Sequence, residues 1–81
     1  MVLMYSGNVY TQAFIRGLRE RYPEGTRVRL VSMYDPYNTT LKPGDEGTVT
    51  FIDAQGTIFV DWECGSSLGL IYGEDLFEVI N

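Results

Sequence analysis

From Thr26 to Ile80 turn residues recur at nearly even spacing and divide the chain into five short runs of strand-type residues. Short strands joined by glycine and proline punctuation predict a small closed or half-closed β-barrel. The first run, Arg27-Val28-Arg29-Leu30, alternates basic and apolar residues, as a strand with one solvated face does. The second spans Glu46 to Asp53. Phe51 and Ile52 are adjacent and both apolar, so alternation fails there and a bulge is expected. Ala54-Gln55-Gly56 forms a tight turn before the third run, Thr57 to Trp62. Ile58, Val60 and Trp62 should face inward there, with Thr57, Phe59 and Asp61 outward. Cys64-Gly65 turns the chain again, and Ser66 to Ile71 and Leu76 to Ile80 supply the last two runs. The four residues between those runs, Tyr72 to Asp75, suit one tight helical turn. The inward set is Val28, Leu30, Val49, Ile58, Val60, Trp62, Leu68, Leu70, Phe77 and Val79. It suffices for one small core.

The period is different before Pro23. Tyr10, Phe14, Leu18 and Tyr22 recur at i+4 with Ala13 alongside, while Gln12, Arg16, Arg19 and Glu20 take the other side. This predicts an amphipathic helix capped by Ser6 or Asn8 and ended by Pro23-Glu24-Gly25. Gly17 weakens it, so its stripe must lie on the barrel or on a partner subunit. The organisation is therefore a helical segment over 1–23 followed by a β-barrel domain over 24–81.

At 81 residues there is room for one domain, and a core this small leaves dimerisation worth considering. Histidine is absent and Cys64 is the single cysteine, so neither an internal disulfide nor a Cys/His zinc site is available. A reducing, cytoplasmic setting is expected. The start, Met1 to Tyr5, shows no basic leader, and no run approaches a membrane span, so neither export nor insertion is expected.

The formal net charge of −5 conceals an asymmetry: Arg16, Arg19, Arg21, Arg27, Arg29 and Lys42 are the only basic residues. From Pro43 onward there are only carboxylates: Asp45, Glu46, Asp53, Asp61, Glu63, Glu74, Asp75 and Glu78. Phosphate backbones are held by clustered positive charge, so general nucleic-acid binding is disfavoured. Its alternative face would be Arg16, Arg19, Arg21, Arg27 and Arg29. Arg27 and Arg29 could equally pair with Asp61 or Glu78 across the sheet.

The long connection Tyr34 to Gly44 exceeds an ordinary hairpin loop and is the place to look for binding. Tyr34, Tyr37 and Tyr72, with Asp35 and Asp75 nearby, could gather into an aromatic surface for a basic or apolar peptide. The alternative is that Tyr34 and Tyr37 pack the loop onto the barrel. Phe59 and Val31, on the outward face, should be covered by the helix or a second chain. No calcium-loop spacing is present, no lysine follows the glycines in phosphate-loop spacing, and Cys64 has no activating base. No metal, cofactor or enzymatic role is expected.

Two resemblances follow. Tyr22-Pro23-x-Gly25-Thr26-Arg27-Val28, Asp35-Pro36-Tyr37, Pro43-Gly44-x-x-Gly47-Thr48-Val49, Asp53, Gly56, Trp62, Gly65-Ser66-Ser67-Leu68-Gly69-Leu70 and Gly73-x-Asp75 resemble a family of short uncharacterised bacterial proteins. That family is a domain of unknown function common in Gram-positive bacteria, their phages and mobile elements. The resemblance runs from about Arg19 to the C-terminus and implies a compact β domain without implying an activity. A looser similarity, through Met33-Tyr34-Asp35-Pro36-Tyr37, Gly44-Asp45, Gly69-Leu70-Ile71 and Phe77-Glu78-Val79-Ile80, is to SH3 domains. Their polyproline groove uses a tryptophan, a proline and a tyrosine. Here Trp62 lies at the far end of an inward face, Tyr72 stands in the proline's place and Leu76 in the tyrosine's, so polyproline recognition is not implied. The reading is a non-catalytic SH3-like module with an N-terminal amphipathic helix. It binds an unknown protein partner through the Tyr34 to Thr40 loop and the Tyr72 to Asp75 turn. The alternatives are a nucleic-acid accessory domain and a structural homodimerisation unit.

Overall fold

The computed structural model describes residues 11–80; the expected caps Ser6 and Asn8 and the stripe residue Tyr10 lie outside them. Within that range the helix α1 runs Gln12–Arg21. Thr11, in extended backbone, caps it by accepting the Phe14 N–H at 3.1 Å. The helix ends where expected: the Tyr22 N–H reaches the Leu18 carbonyl at 2.8 Å, and Pro23 cannot extend the series. The buried face differs from the predicted stripe, because Ile15 and Leu18 are its fully buried residues while Ala13 is exposed and Phe14 and Tyr22 half-buried. Four residues advance about 40° beyond a full turn, so a strict i+4 line winds off the contact face. Ile15, Leu18 and Tyr22, spaced by three and then four, stay on it.

The strands β1 (Arg27–Ser32), β2 (Glu46–Ile52), β3 (Thr57–Trp62), β4 (Leu70–Ile71) and β5 (Leu76–Val79) form one sheet in the order β4-β3-β2-β1-β5. Every ladder is antiparallel. β4 and β5 lie at opposite edges, which in a flat sheet would be about 19 Å apart. Yet only Tyr72 to Asp75 joins them, and this link is a tight turn rather than the expected helical one: the Ile71 carbonyl accepts from Glu74 at 3.0 Å and Asp75 at 2.9 Å, and Gly73 takes φ 91°, outside the right-handed helical region. The sheet must curl to bring its edges to that turn. No ladder joins β4 to β5, so among the described residues the curled sheet stays open. The described residues thus form a mainly β domain of five antiparallel strands and one helix.

β3 carries the expected alternation, with Ile58, Val60 and Trp62 buried. The expected bulge lies between Val49 and Phe51, and it turns Phe51 outward while Ile52 stays in the core. Gly47 allows β2 and β3 to approach: a Cβ there would stand 2.6 Å from Val60 Cγ1 and 2.8 Å from the Asp61 carbonyl oxygen. Gly56 closes the hairpin at φ 91°, where other residues are strained.

Several inward or covered positions behave differently. β4 is shorter than the predicted run because the Leu68 carbonyl accepts the Trp62 indole N–H at 2.8 Å instead of joining a ladder. Leu68 is consequently half-buried. Val79 is 48% exposed, since β5 is an edge and the core layer ends above it. Phe59 is half-buried and stacks on Phe51 at 4.6 Å across the strand pair. Val31 is exposed.

Ile15 and Leu18 share one core with Val28, Leu30, Val49, Ile58, Trp62 and Leu70. The helix therefore lies on its own sheet. Arg19 ties the two together, donating Nε and Nη2 to the Ile52 carbonyl at 3.1 and 2.9 Å.

Candidate functional site

The first loop is ordered by its own short polar side chains. The Asp35 carboxylate accepts the Tyr37 N–H at 2.9 Å, and Asn38 Oδ1 accepts the N–H groups of Thr40 and Leu41 at 3.1 and 2.9 Å. Asn38 Nδ2 in turn donates to the Leu41 carbonyl at 2.6 Å. Such side-chain-to-backbone bonds hold irregular chain in one conformation. Leu41, 3% exposed, anchors the loop in the core. Tyr34 and Tyr37 do not pack it down: they are 89% and 91% exposed. Leu41 was missed in the sequence, where its signal was a lone apolar residue between Asn38 and Pro43-Gly44.

Tyr72 has the opposite fate. Its ring lies 5.9 Å from Phe14 and 6.3 Å from Tyr22, Tyr22 meets Phe77 at 5.3 Å, and the Arg21 guanidinium sits 4.9 Å from the Tyr72 ring centre. Asp75 is equally built in, because its Oδ2 accepts the Ile71 N–H at 2.8 Å and so closes the turn from within.

The three predicted tyrosines therefore do not form one surface. Tyr34 and Asp35 line a recess of about 200 Å³ with Met33, Gly69, Ile71, Glu74 and Asp75. Tyr72 and Asp75 line a second, of about 320 Å³, with Tyr22, Gly73, Leu76 and Phe77. Tyr37 borders a third, of about 250 Å³, beside Gly65 to Leu68. Asp75 is the wall shared by the first two, so four of the five candidates are contiguous and Tyr37 stands apart.

Four of the five arginines of the alternative basic face are engaged in internal contacts. Arg27 pairs with Glu46 and with Glu63, and Arg29 with Glu46 at 3.3 Å and Glu78 at 3.1 Å. Glu78 was expected as a partner. Asp61 is replaced by Glu46, which faces Arg29 in the β1–β2 register. The hydrogen bonds to Glu78 and then to Glu46 push the Arg29 guanidinium above its ordinary range. Its charge is thus never in question. Arg19 is bonded to Ile52, Arg21 lies over Tyr22 and Tyr72, and Arg16 is exposed on the helix. The result is a row of alternating charge across the outer face, Glu63, Arg27, Glu46, Arg29, Glu78, rather than a cationic patch.

Among the described residues no group of three or more His, Cys, Asp or Glu is placed to hold a metal, and no helix is long and apolar enough to cross a membrane. Cys64 is exposed at the tip of the turn after β3. Neither the curated proteins nor the solved structures returned a match. The model of one family, described as Domain of unknown function (DUF4314), matches residues 11–80, which take in the cap Thr11, α1 and all five strands. The chain belongs to the DUF4314 family.

Proposed function

We propose that this domain is a non-catalytic SH3-like module that binds a protein partner through the Tyr34 to Thr40 loop and the adjoining Tyr72 to Asp75 turn. The observation that carries this reading is the presentation of Tyr34 and Tyr37, both about nine-tenths exposed, on a loop that Asp35 and Asn38 hold in place. A tyrosine on a pre-ordered loop offers contact area with little conformational entropy left to lose. Neither ring serves the core, since Leu41 does that.

The lack of histidine and of an activating base for Cys64 supports a role without catalysis. A strand order whose edges meet at one tight turn supports the SH3-like form of the sheet. A lone cysteine and the resemblance to phage and mobile-element proteins support a bacterial cytoplasm as its setting.

Site-specific photo-crosslinking tests the reading. A benzophenone side chain at position 34 or 37 should give a discrete adduct with one protein of the source cell, while the same group at Gln55 gives none. Equal adducts at all three positions, or none at 34 and 37, would overturn it.

A further inference from the structure

The hydrogen-bond alternation of the β1–β5 ladder determines where the backbone groups of β5 point. The Ile80 N–H donates to the Arg27 carbonyl at 3.0 Å, and in the same register Arg29 stands opposite Glu78 and Val28 opposite Val79. Opposed residues of an antiparallel pair alternate between exchanging hydrogen bonds and not doing so. Glu78 and Ile80 therefore turn their N–H and C=O toward β1, and Phe77 and Val79 turn theirs away. β5 ends the sheet on that side, with β1 its sole strand neighbour among the described residues.

Exposed edges are ordinarily blunted by lysine, proline or an inward charge. β5 carries none of these. Its single charge, Glu78, is held on the outer face by Arg29, and Leu76 and Val79 beside it are 58% and 48% exposed. Among the described residues no strand pairs with this edge.

Charge selects which strand. The row Glu63, Arg27, Glu46, Arg29, Glu78 alternates in sign and ends on a carboxylate. A residue added opposite Glu78 would occupy a non-hydrogen-bonded position with its Cα about 4.5 Å away, where unlike charges attract and like charges repel. In the register that pairs Phe77 with Val79 of a second copy along the full strand, Glu78 would oppose Glu78, and the registers that avoid this leave Glu78 opposite an apolar residue, Leu76 or Ile80. We infer that the β5 edge is a strand-addition site for an extended segment of a partner protein that places a lysine or arginine opposite Glu78. This inference stands apart from the loop reading and does not depend on it.

The test is amide chemical-shift titration and hydrogen exchange on the full chain with the synthetic peptide acetyl-TVTKTVT-amide, beside its glutamate-centred counterpart. The lysine peptide should shift Phe77 and Val79 and slow their exchange. The glutamate peptide should bind about three- to tenfold more weakly. Val79→Pro removes an edge donor that makes no bond within the sheet, so it should keep the folded spectrum and lose the response. Glu78→Lys should invert the preference, and Tyr37→Ala should leave it unchanged. Equal affinity for the two peptides, a response away from β5, or binding that survives Val79→Pro would overturn the inference. So would a peptide-free dimer that Val79→Pro dissolves, since the edge would then belong to a second copy.

Discussion

Tyr34 and Tyr37 on the first loop and Tyr22 and Tyr72 at the helix end are the same residue type in similarly polar stretches, yet the first pair is exposed and the second packed. The difference lies in what covers them. α1 brings Phe14 and Tyr22 over the Tyr72 turn, and Arg21 closes the cluster from above. Among the described residues no element crosses the loop, whose apolar anchoring falls to Leu41. A ring that the fold does not need, held on a loop that the fold does order, is the stronger candidate for contact with something else.

The contrast can be broken from its packed side. Leu18→Ala, deep under the helix, should destabilise the domain by about 2–5 kcal/mol in urea denaturation followed by Trp62 fluorescence. It should also release Tyr22 and Tyr72 to solvent, and a loss below about 1 kcal/mol would mean that α1 does not seat on the sheet. Tyr72→Ala should cost about 2 kcal/mol, through lost burial and lost ring contacts. Arg21→Gln, which removes only the charge over the two rings, should cost about 0.5–1 kcal/mol. At the other end of the scale, Tyr34→Ala combined with Tyr37→Ala should move stability by no more than about 0.5 kcal/mol. Affinity capture of the crosslinked partner by this variant should nevertheless be lost. A larger loss of stability would assign those rings to the fold and erase the contrast.

Much of the sheet was legible because its signals are local. Period-two alternation placed Ile58, Val60 and Trp62, two adjacent apolar residues marked the bulge beside Phe51, and glycine and proline marked the turns. The helix was legible as an element but not in its facing. An i+4 count overlooked Ile15, which the true pitch brings beside Leu18. Of the candidate site, Tyr34, Asp35, Tyr72 and Asp75 are brought together around two adjoining recesses, while Tyr37 is carried to a third. Asp75 was read as an acidic contact, and it also closes the turn by accepting from Ile71. Glu46, the centre of the charge row, could not be singled out from the other carboxylates, because partners across strands depend on register.

Composition and periodicity alone determined that the chain makes one small β-rich domain with a leading helix, that it has no histidine and so no Cys/His zinc site, and that its charge is divided along its length. These are properties of composition or of near neighbours in the chain. The tertiary structure decided which tyrosines stay in solvent, that the arginines of β1 are paired with carboxylates, and that β5 lies at an edge with the backbone N–H and C=O groups of Phe77 and Val79 turned away from β1. Each of these depends on contacts between residues distant in sequence, such as the pairing of Arg29 with both Glu46 and Glu78. Such contacts exist only once strand order and register are set, and a pattern with a period of two residues carries neither.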